Sequence, residues 1–379
     1  MMGTNNWSSD TIFLYIGTIL VSTVFAVLAC RKKLNSVTGE VEIKVNKFLY
    51  LCSAIPPWLL LSLAKCGMDY PVYRMMFLRA ENISTLLQYY LIEPGFAVLN
   101  WMIRLFTDNE NIYFGIITFL FLFFIYHGVY KMMKAIHPAW GIFVFNTIFL
   151  LQQMNLKRVY LAAAILFWSM SFLVERKYIK YVISVLICCS IHTSAIIMIA
   201  PLMYDLILYK KISKRAMFLL SVCLLVVLYL LRNQIVAIPI SQRYANYGTQ
   251  GTGIGFLQIL YHIPIFYLLI KSRRFTGFEV DRHRSIAFIN TILSFIIGMM
   301  GYFIVMIGRA LVYFMYPIMI AASLNSIGYI RRKTSVISTR NIWNIIMVMY
   351  CILRLVLYAN QYCYADGIMP YVDIFGKTY

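Results

Sequence analysis

Acidic residues are scarce: 14 Asp and Glu stand against 34 Lys and Arg, and charged side chains make up only 13% of the 379 residues. A soluble domain carries about 25% charged and about 45–50% apolar residues. The polar surface is therefore too small to face water, and a soluble nucleic-acid binder is excluded despite the net charge of +20. Other absences narrow the chemistry. No His/Cys/Asp/Glu set has metal-ligand spacing, and there is no Gly-rich phosphate loop or DxD-like acidic pair. These gaps argue against a metal site, a nucleotide-driven pump and a nucleotide-sugar transferase, and no cofactor is expected. The eight cysteines show no paired spacing, and most, including Cys188, Cys189 and Cys223, lie inside apolar runs where a thiol acts as a small hydrophobe. Cys66 and Cys363 both fall in segments read below as external, which leaves a disulfide between them open. No small-residue cleavage site follows the first apolar run, so Thr11 to Ala29 reads as a span rather than a signal peptide. Internal repeats, heptads and long soluble loops are also missing.

What the chain has is apolar length: 61% hydrophobic residues and a mean hydropathy of +0.75. A spanning helix needs about 20 apolar residues. Runs bounded by charges fall at 11–30, 47–64, 112–130, 138–154, 159–174, 178–191, 193–209, 215–233, 256–271, 284–306, 309–327 and 341–360. The expected fold is all-α: one integral membrane domain over 1–379, a polytopic transmembrane helix bundle of about twelve spans (between about eleven and thirteen), with short re-entrant or interfacial helices on the external side.

Charge sets the topology, because Lys and Arg accumulate in short cytoplasmic loops. With both termini external, the inside loops are 31–46, 131–137, 175–177, 210–214, 272–283 and 328–340, and with their flanks they hold 23 of the 34 basic residues. Segment 91–106 is apolar, but a full crossing there would invert every later loop, so it reads as non-spanning. The basic flanks ERKYIK and YKKISKR make 178–191 and 193–209 a hairpin turning at His192. A turn at membrane depth needs a wet, protein-lined setting, since lipid cannot satisfy its backbone. Function is therefore expected in the external segments 65–111, 234–255 and 361–379 and in the outer halves of the spans.

Charged groups at membrane depth are costly and face a cavity or a partner. Arg158, Arg309 and Arg354 lie in the outer ends of spans, and Arg243 lies in the loop SQRYANYGTQGTG. Such a set suits phosphate or pyrophosphate, whose oxygens match the guanidinium fork; the alternative is that each pairs with one acid or snorkels. His192 in IHTSA is a candidate general base, or a helix-end histidine bonded to a carbonyl. His262 reads as structural. Asp69 and Glu93 are a reserve base or sugar contacts; alternatively Asp69 stabilises a turn and Glu93 sits in a first helical turn before Pro94.

In order along the chain, Gly67-Met68-Asp69-Tyr70 with Tyr73, Glu93-Pro94-Gly95-Phe96 with Asn100, Arg158 with Leu161-Ala162 and His192 with Ser194-Ala195 form one series. Arg243-Tyr244 with Tyr247, Arg309-Ala310 with Tyr313-Phe314, and Pro370-Tyr371 complete it. This series resembles the EpsG-like and Wzy-type polymerases of bacterial O-antigen, capsule and exopolysaccharide pathways. Departures are Leu63 and Lys65 where the family commonly has an arginine, Met68 for Thr, and Val159 for the usual Gln. The resemblance implies a membrane glycosyltransferase at the outer face of the bacterial cytoplasmic membrane. It would transfer a glycan from undecaprenyl pyrophosphate to the terminal hydroxyl of another lipid-linked unit. His192 would be the base, with Arg158, Arg243, Arg309 and Arg354 on the pyrophosphate and Tyr70, Tyr73, Tyr244 and Tyr247 on the sugars. Partners would be the lipid-linked oligosaccharide, the bilayer, and flippase and chain-length regulator proteins, with no nucleic acid. The alternatives are a lipid-linked oligosaccharide flippase or transporter, which should carry charges along its path and internal symmetry, and a membrane acyltransferase modifying surface glycan.

Overall fold

The structure is a computed structural model and describes residues 8–34, 41–89, 92–209, 256–271, 278–301, 308–327 and 336–379. Helix α1 (Ser9–Ala29) leads into a β-ribbon, β1 (Cys30–Leu34) paired antiparallel with β2 (Val41–Val45) in the register Cys30 to Val45. Helices α2 (Lys47–Cys52) and α3 (Ile55–Ser62) return, and α4 (Tyr70–Leu78), α5 (Ile83–Tyr89) and α6 (Pro94–Arg104) form a layer across one end. Then come α7 (Glu110–Lys131), α8 (Pro138–Val144), α9 (Lys157–Val174), α10 (Tyr178–Ile191) and α11 (Ile199–Tyr209). The rest is α12 (Phe256–Lys271), α13 (Phe278–Met300), α14 (Met315–Ile327) and α15 (Val336–Tyr362).

The fold is an all-α membrane-type bundle with one small ribbon that the hydropathy pattern gave no sign of. Among the described residues, α1, α7, α9, most of α13 and most of α15 are long and apolar enough to cross a membrane, and six shorter apolar helices accompany them. Together these coincide with every expected run except 215–233, which lies outside the described residues along with Arg243, Tyr244 and Tyr247. Several runs are not continuous helices. Residues 47–64 break before Pro56-Pro57, and 138–154 pass from α8 through a π-turn (Phe145–Phe149) to a 3₁₀ turn (Leu151–Met154). Helix α6 has 11 residues, about 16 Å at 1.5 Å per residue, too short to cross. Cys66 and Cys363 are buried free thiols, so the disulfide left open by the sequence is not formed.

The packing is inside-out relative to a soluble protein. On α1 the inward stripe is Thr11, Tyr15, Thr18, Ser22, Ala26 and Ala29, while Phe13, Leu20, Val24 and Leu28 are exposed. Small and hydroxylated residues let helices approach and bond in an apolar solvent. Ser22 Oγ donates to the Ser53 carbonyl (2.6 Å) and accepts from Asn146 Nδ2 (2.8 Å), while Tyr126 OH reaches the same carbonyl (2.8 Å). The central helix is α9, whose Ala162, Ala163 and Ala164 are all fully buried. It crosses α7 at Gly128, where a Cβ would stand 2.8 Å from the Phe167 ring.

The two ends of the bundle differ. The ribbon end gathers Arg31, Lys131, Arg176, Lys177 and Arg282, and Arg282 there binds Asp205 (2.9 Å) and the α9 carbonyls of Leu173 and Val174. The opposite end holds α4–α6, the start of α9, the α10 turn and the C-terminal segment. Chain start and chain end meet there, as Thr11 Oγ1 donates to the Tyr379 carbonyl.

Candidate functional site

Four segments converge at that end. Glu93 occupies the N-cap of α6 in extended conformation, with Pro94 opening the helix, the position where a missing N–H costs nothing. Gly95 then lies against the end of α10: a Cβ there would be 2.2 Å from Ser190 Oγ and 2.8 Å from the Ser190 carbonyl oxygen. This contact brings Glu93 beside the turn after α10, where His192 is extended (φ −153°, ψ 114°) between the helix and a 3₁₀ turn, Thr193–Met198. Arg158 comes from the first turn of α9, and Arg309 and Tyr313 from a 3₁₀ turn, Arg309–Phe314, that precedes α14.

The centre is an ion pair. Arg158 Nη1 lies 2.7 Å from Glu93 Oε2, while Glu93 Oε1 accepts from the Thr193 backbone N–H (3.0 Å) and hydroxyl (3.2 Å). Burial raises the Glu93 carboxyl, but the Arg158 charge, the Thr193 amide and His192 together hold it below the usual carboxylate range. A cation in a first turn opposes the helix dipole, and Glu93 offsets that cost. Arg158 Nε is buried and has no hydrogen-bond partner among the described residues. The Arg158 guanidinium also stands 5.9 Å above the Phe96 ring, and its backbone N–H donates to Tyr73 OH (3.3 Å). Tyr73 is pushed up to about 12, by burial above all.

Beside the pair lies an imidazole fixed on one side. Ser194 Oγ is 2.7 Å from His192 Nδ1 and 2.8 Å from Tyr313 OH, and Tyr313 OH is 3.3 Å from the same nitrogen. Two hydroxyls at Nδ1 hold the ring plane, and either can donate to that nitrogen or accept from it according to the tautomer.

Asp69 caps α4 without a side-chain capping bond. Burial raises its carboxyl, the charges of Arg309 and Arg158 pull it back, and Asp366 raises it again. Its loop is tied to the C-terminal segment. The Asp69 N–H donates to Asn155 Oδ1 (2.9 Å), Asn155 Nδ2 donates to Asp366 Oδ1 (3.1 Å), and Tyr358 OH donates to Asp366 Oδ2 (2.5 Å). Backbone bonds from Gly67 to the Gly367 carbonyl and from Met68 to the Asp366 carbonyl (both 2.8 Å) complete the clamp. Gly67 (φ +106°) and Gly367 (φ +65°) both adopt the left-handed region that glycine alone enters freely.

Asp69, Tyr73, Glu93, Arg158, His192 and Arg309 are therefore brought into one cluster. Tyr70 is not: its hydroxyl meets Glu110 (3.4 Å) and its ring stacks on Phe114 at 4.8 Å. Arg354 lies in a separate cavity against Tyr261 and Tyr350. Arg243, Tyr244 and Tyr247 are outside the described residues. Sequence reasoning missed the roles of Thr193, Asn155 and Asp366. Asn155 and Asp366 are 211 residues apart, a pairing no local pattern reveals, whereas Thr193 adjoins the chosen histidine and was within reach. The cluster can bind an anion through two arginines and accept a proton on an imidazole, with two carboxylates nearby.

Residues 47–372 match the EpsG family, which covers most of the chain. No curated protein and no solved structure matches.

Proposed function

This chain belongs to the EpsG family of Wzy-type polysaccharide polymerases, and from that premise we propose that it joins lipid-linked repeat units at the cluster around Glu93, Arg158, His192 and Arg309. The donor is a glycan on undecaprenyl pyrophosphate, and the acceptor is the terminal hydroxyl of a second lipid-linked unit. The hydroxyl oxygen attacks the anomeric carbon as the carbon–oxygen bond to the diphosphate breaks. The proton passes to His192 Nε2 while Ser194 and Tyr313 hold Nδ1. The electron pair leaves on the diphosphate, where the unused Arg158 Nε and the exposed Arg309 offset the developing charge. Glu93 keeps Arg158 in place, and Asp69 and Tyr73 are sugar contacts, with Asp69 the reserve base. Arg243, Tyr244 and Tyr247 would add to the same site from the loop that follows.

The observation that carries this reading is the convergence of Arg158, Glu93, His192 and Arg309 from four distant segments at one end of the bundle. That end faces outward in the cytoplasmic membrane, because the ribbon end carries the basic residues that stay inside. Both termini are then external. Flippase and chain-length regulator proteins would supply units and set length.

The test replaces His192, Arg309 and Arg158 individually by Ala in the native gene and resolves the lipid-linked glycans by length. Each variant should be present in the membrane and accumulate single repeat units. Normal long chains from all three would remove the site assignment.

A further inference from the structure

Away from the Glu93–Arg158 cluster, a groove of about 420 Å³ runs down the outer half of the bundle between α1 and α3. Phe13, Leu14, Gly17 and Val21 line it from α1, and Pro56 and Leu59 from α3. On each helix these positions recur at three- and four-residue spacing and so form one stripe. From Phe13 to Val21 the stripe covers about 12 Å of helix axis, most of one leaflet of a hydrocarbon core about 30 Å thick. Gly17 keeps the middle open, since a Cβ built there meets no atom within 4 Å. Below the mouth the lining is hydrocarbon apart from Thr18, whose hydroxyl is taken up by the Leu14 carbonyl (2.8 Å).

The mouth is polar and carries both signs of charge. Residues 371–379 fold back on themselves: the Asp373 N–H donates to the Lys377 carbonyl (3.0 Å) and the Tyr379 N–H to the Tyr371 carbonyl (2.9 Å). Opposed and alternate residues of paired strands share a face, so Tyr371, Asp373, Lys377 and Tyr379 lie together, and Tyr371, Asp373 and Tyr379 close the groove at its outer end. Asp373 Oδ1 accepts from the Phe375 and Lys377 backbone N–H groups (2.8 and 2.9 Å), whereas Oδ2 has only Tyr379 OH, at 3.3 Å. A carboxylate oxygen takes more than one donor, so Oδ2 has room for another. The Lys377 ammonium stands 4.5 Å from the centre of the Tyr379 ring, and among the described residues no acid forms an ion pair with it.

We propose that this groove holds one phosphatidylethanolamine molecule of the surrounding membrane, with an acyl chain against Gly17, the phosphate on Lys377 and the headgroup ammonium on Asp373. The choice of headgroup follows from the two charges at the mouth. A purely anionic headgroup would face Asp373 without a counter-charge, and a choline headgroup has no N–H to donate to it. The seat is independent of the polymerase reading, but it adjoins that site. The Lys65 N–H donates to the Val372 carbonyl (2.8 Å), so the folded-back segment that would carry the headgroup also holds the loop leading to Asp69.

Native mass spectrometry of the purified full-length protein, titrated with dipalmitoyl phosphatidylethanolamine, phosphatidylcholine or phosphatidylglycerol, counts the bound lipid. Wild type should retain one equivalent of phosphatidylethanolamine and bind the other two about tenfold more weakly, as expected for a missing charged hydrogen bond. Lys377→Ala should weaken phosphatidylethanolamine about fivefold, the usual contribution of one lysine at a lipid surface. Asp373→Asn keeps an oxygen for the two backbone N–H groups and should bring phosphatidylethanolamine down to the level of phosphatidylcholine. Gly17→Leu fills the groove and should exclude all three lipids, with a melting midpoint no lower than wild type because leucine suits a helix interior better than glycine. Equal retention of the three lipids by wild type would overturn the headgroup assignment. Undiminished binding by folded Gly17→Leu would overturn the groove as the seat. Displacement of the bound lipid by an equal concentration of farnesyl phosphate, or a dimer that Gly17→Leu dissociates, would overturn a phospholipid as its occupant.

Discussion

Glu93 and Asp69 are both carboxylates near Arg158, yet their surroundings push them in opposite directions. Glu93 is 7% exposed and its partner Arg158 18%, so removing the acid strands a cation in a dry setting. Glu93→Gln should cost about 3–5 kcal/mol, the usual penalty for breaking a buried pair, read as a fall in the melting midpoint in detergent. The pH dependence follows from the direction of the shift. A carboxyl held below its unfolded value adds stability above that value, about 4.3 for Glu, and loses it as pH falls through the lower folded value. Wild type should therefore weaken on acidification below about pH 5 more steeply than Glu93→Gln. Asp69 is raised by burial, so its ionised form weakens the fold as pH rises through the shifted value. Asp69→Asn should then melt at or above the wild-type midpoint at pH 7 while polymer length falls. A role in stability alone would lower both.

Among the elements, the approach of α6 to α10 positions the ion pair. A Cβ on Gly95 meets the Ser190 backbone as well as its side chain, so the helices must separate. Gly95→Ala should destabilise by about 1–3 kcal/mol and shorten the glycan even though it touches no substrate. Unchanged melting and chain length would show that α6 does not set the geometry. Much at this scale was legible in the sequence. Apolar runs bounded by basic flanks located the helices, the hairpin turning at His192 followed from the charges on both sides, and 91–106 read as too short and wrongly charged to cross. The breaks within 138–154 were not legible, because hydropathy is the same for α, π and 3₁₀ backbone. The Asn155–Asp366 clamp was not legible either, since Asp366 looks like an ordinary turn acid until the C-terminal segment folds back. The separation of Arg354 from Arg158 was not legible either, because it depends on Arg354 packing against Tyr261 and Tyr350.

For the whole molecule, the excess of basic residues divides by end. At the ribbon end Arg282, Lys177 and Arg284 meet Asp205, Glu175 and Asp281, and the basic residues of the other end meet acids as well. Glu110 answers Lys65 and Arg74, Glu81 and Asp108 answer Arg104, and Glu93 answers Arg158. Among the described residues Arg158 keeps one buried donor without a partner, beside an imidazole held through Nδ1. The most direct measurement is the length distribution and sidedness of lipid-linked glycans in cells carrying His192→Ala, with the variant protein quantified in the membrane. Polymerisation at this site predicts single repeat units at the outer face and no long chains. Full-length polymer from a well-expressed variant, or units retained on the inner face, would contradict it.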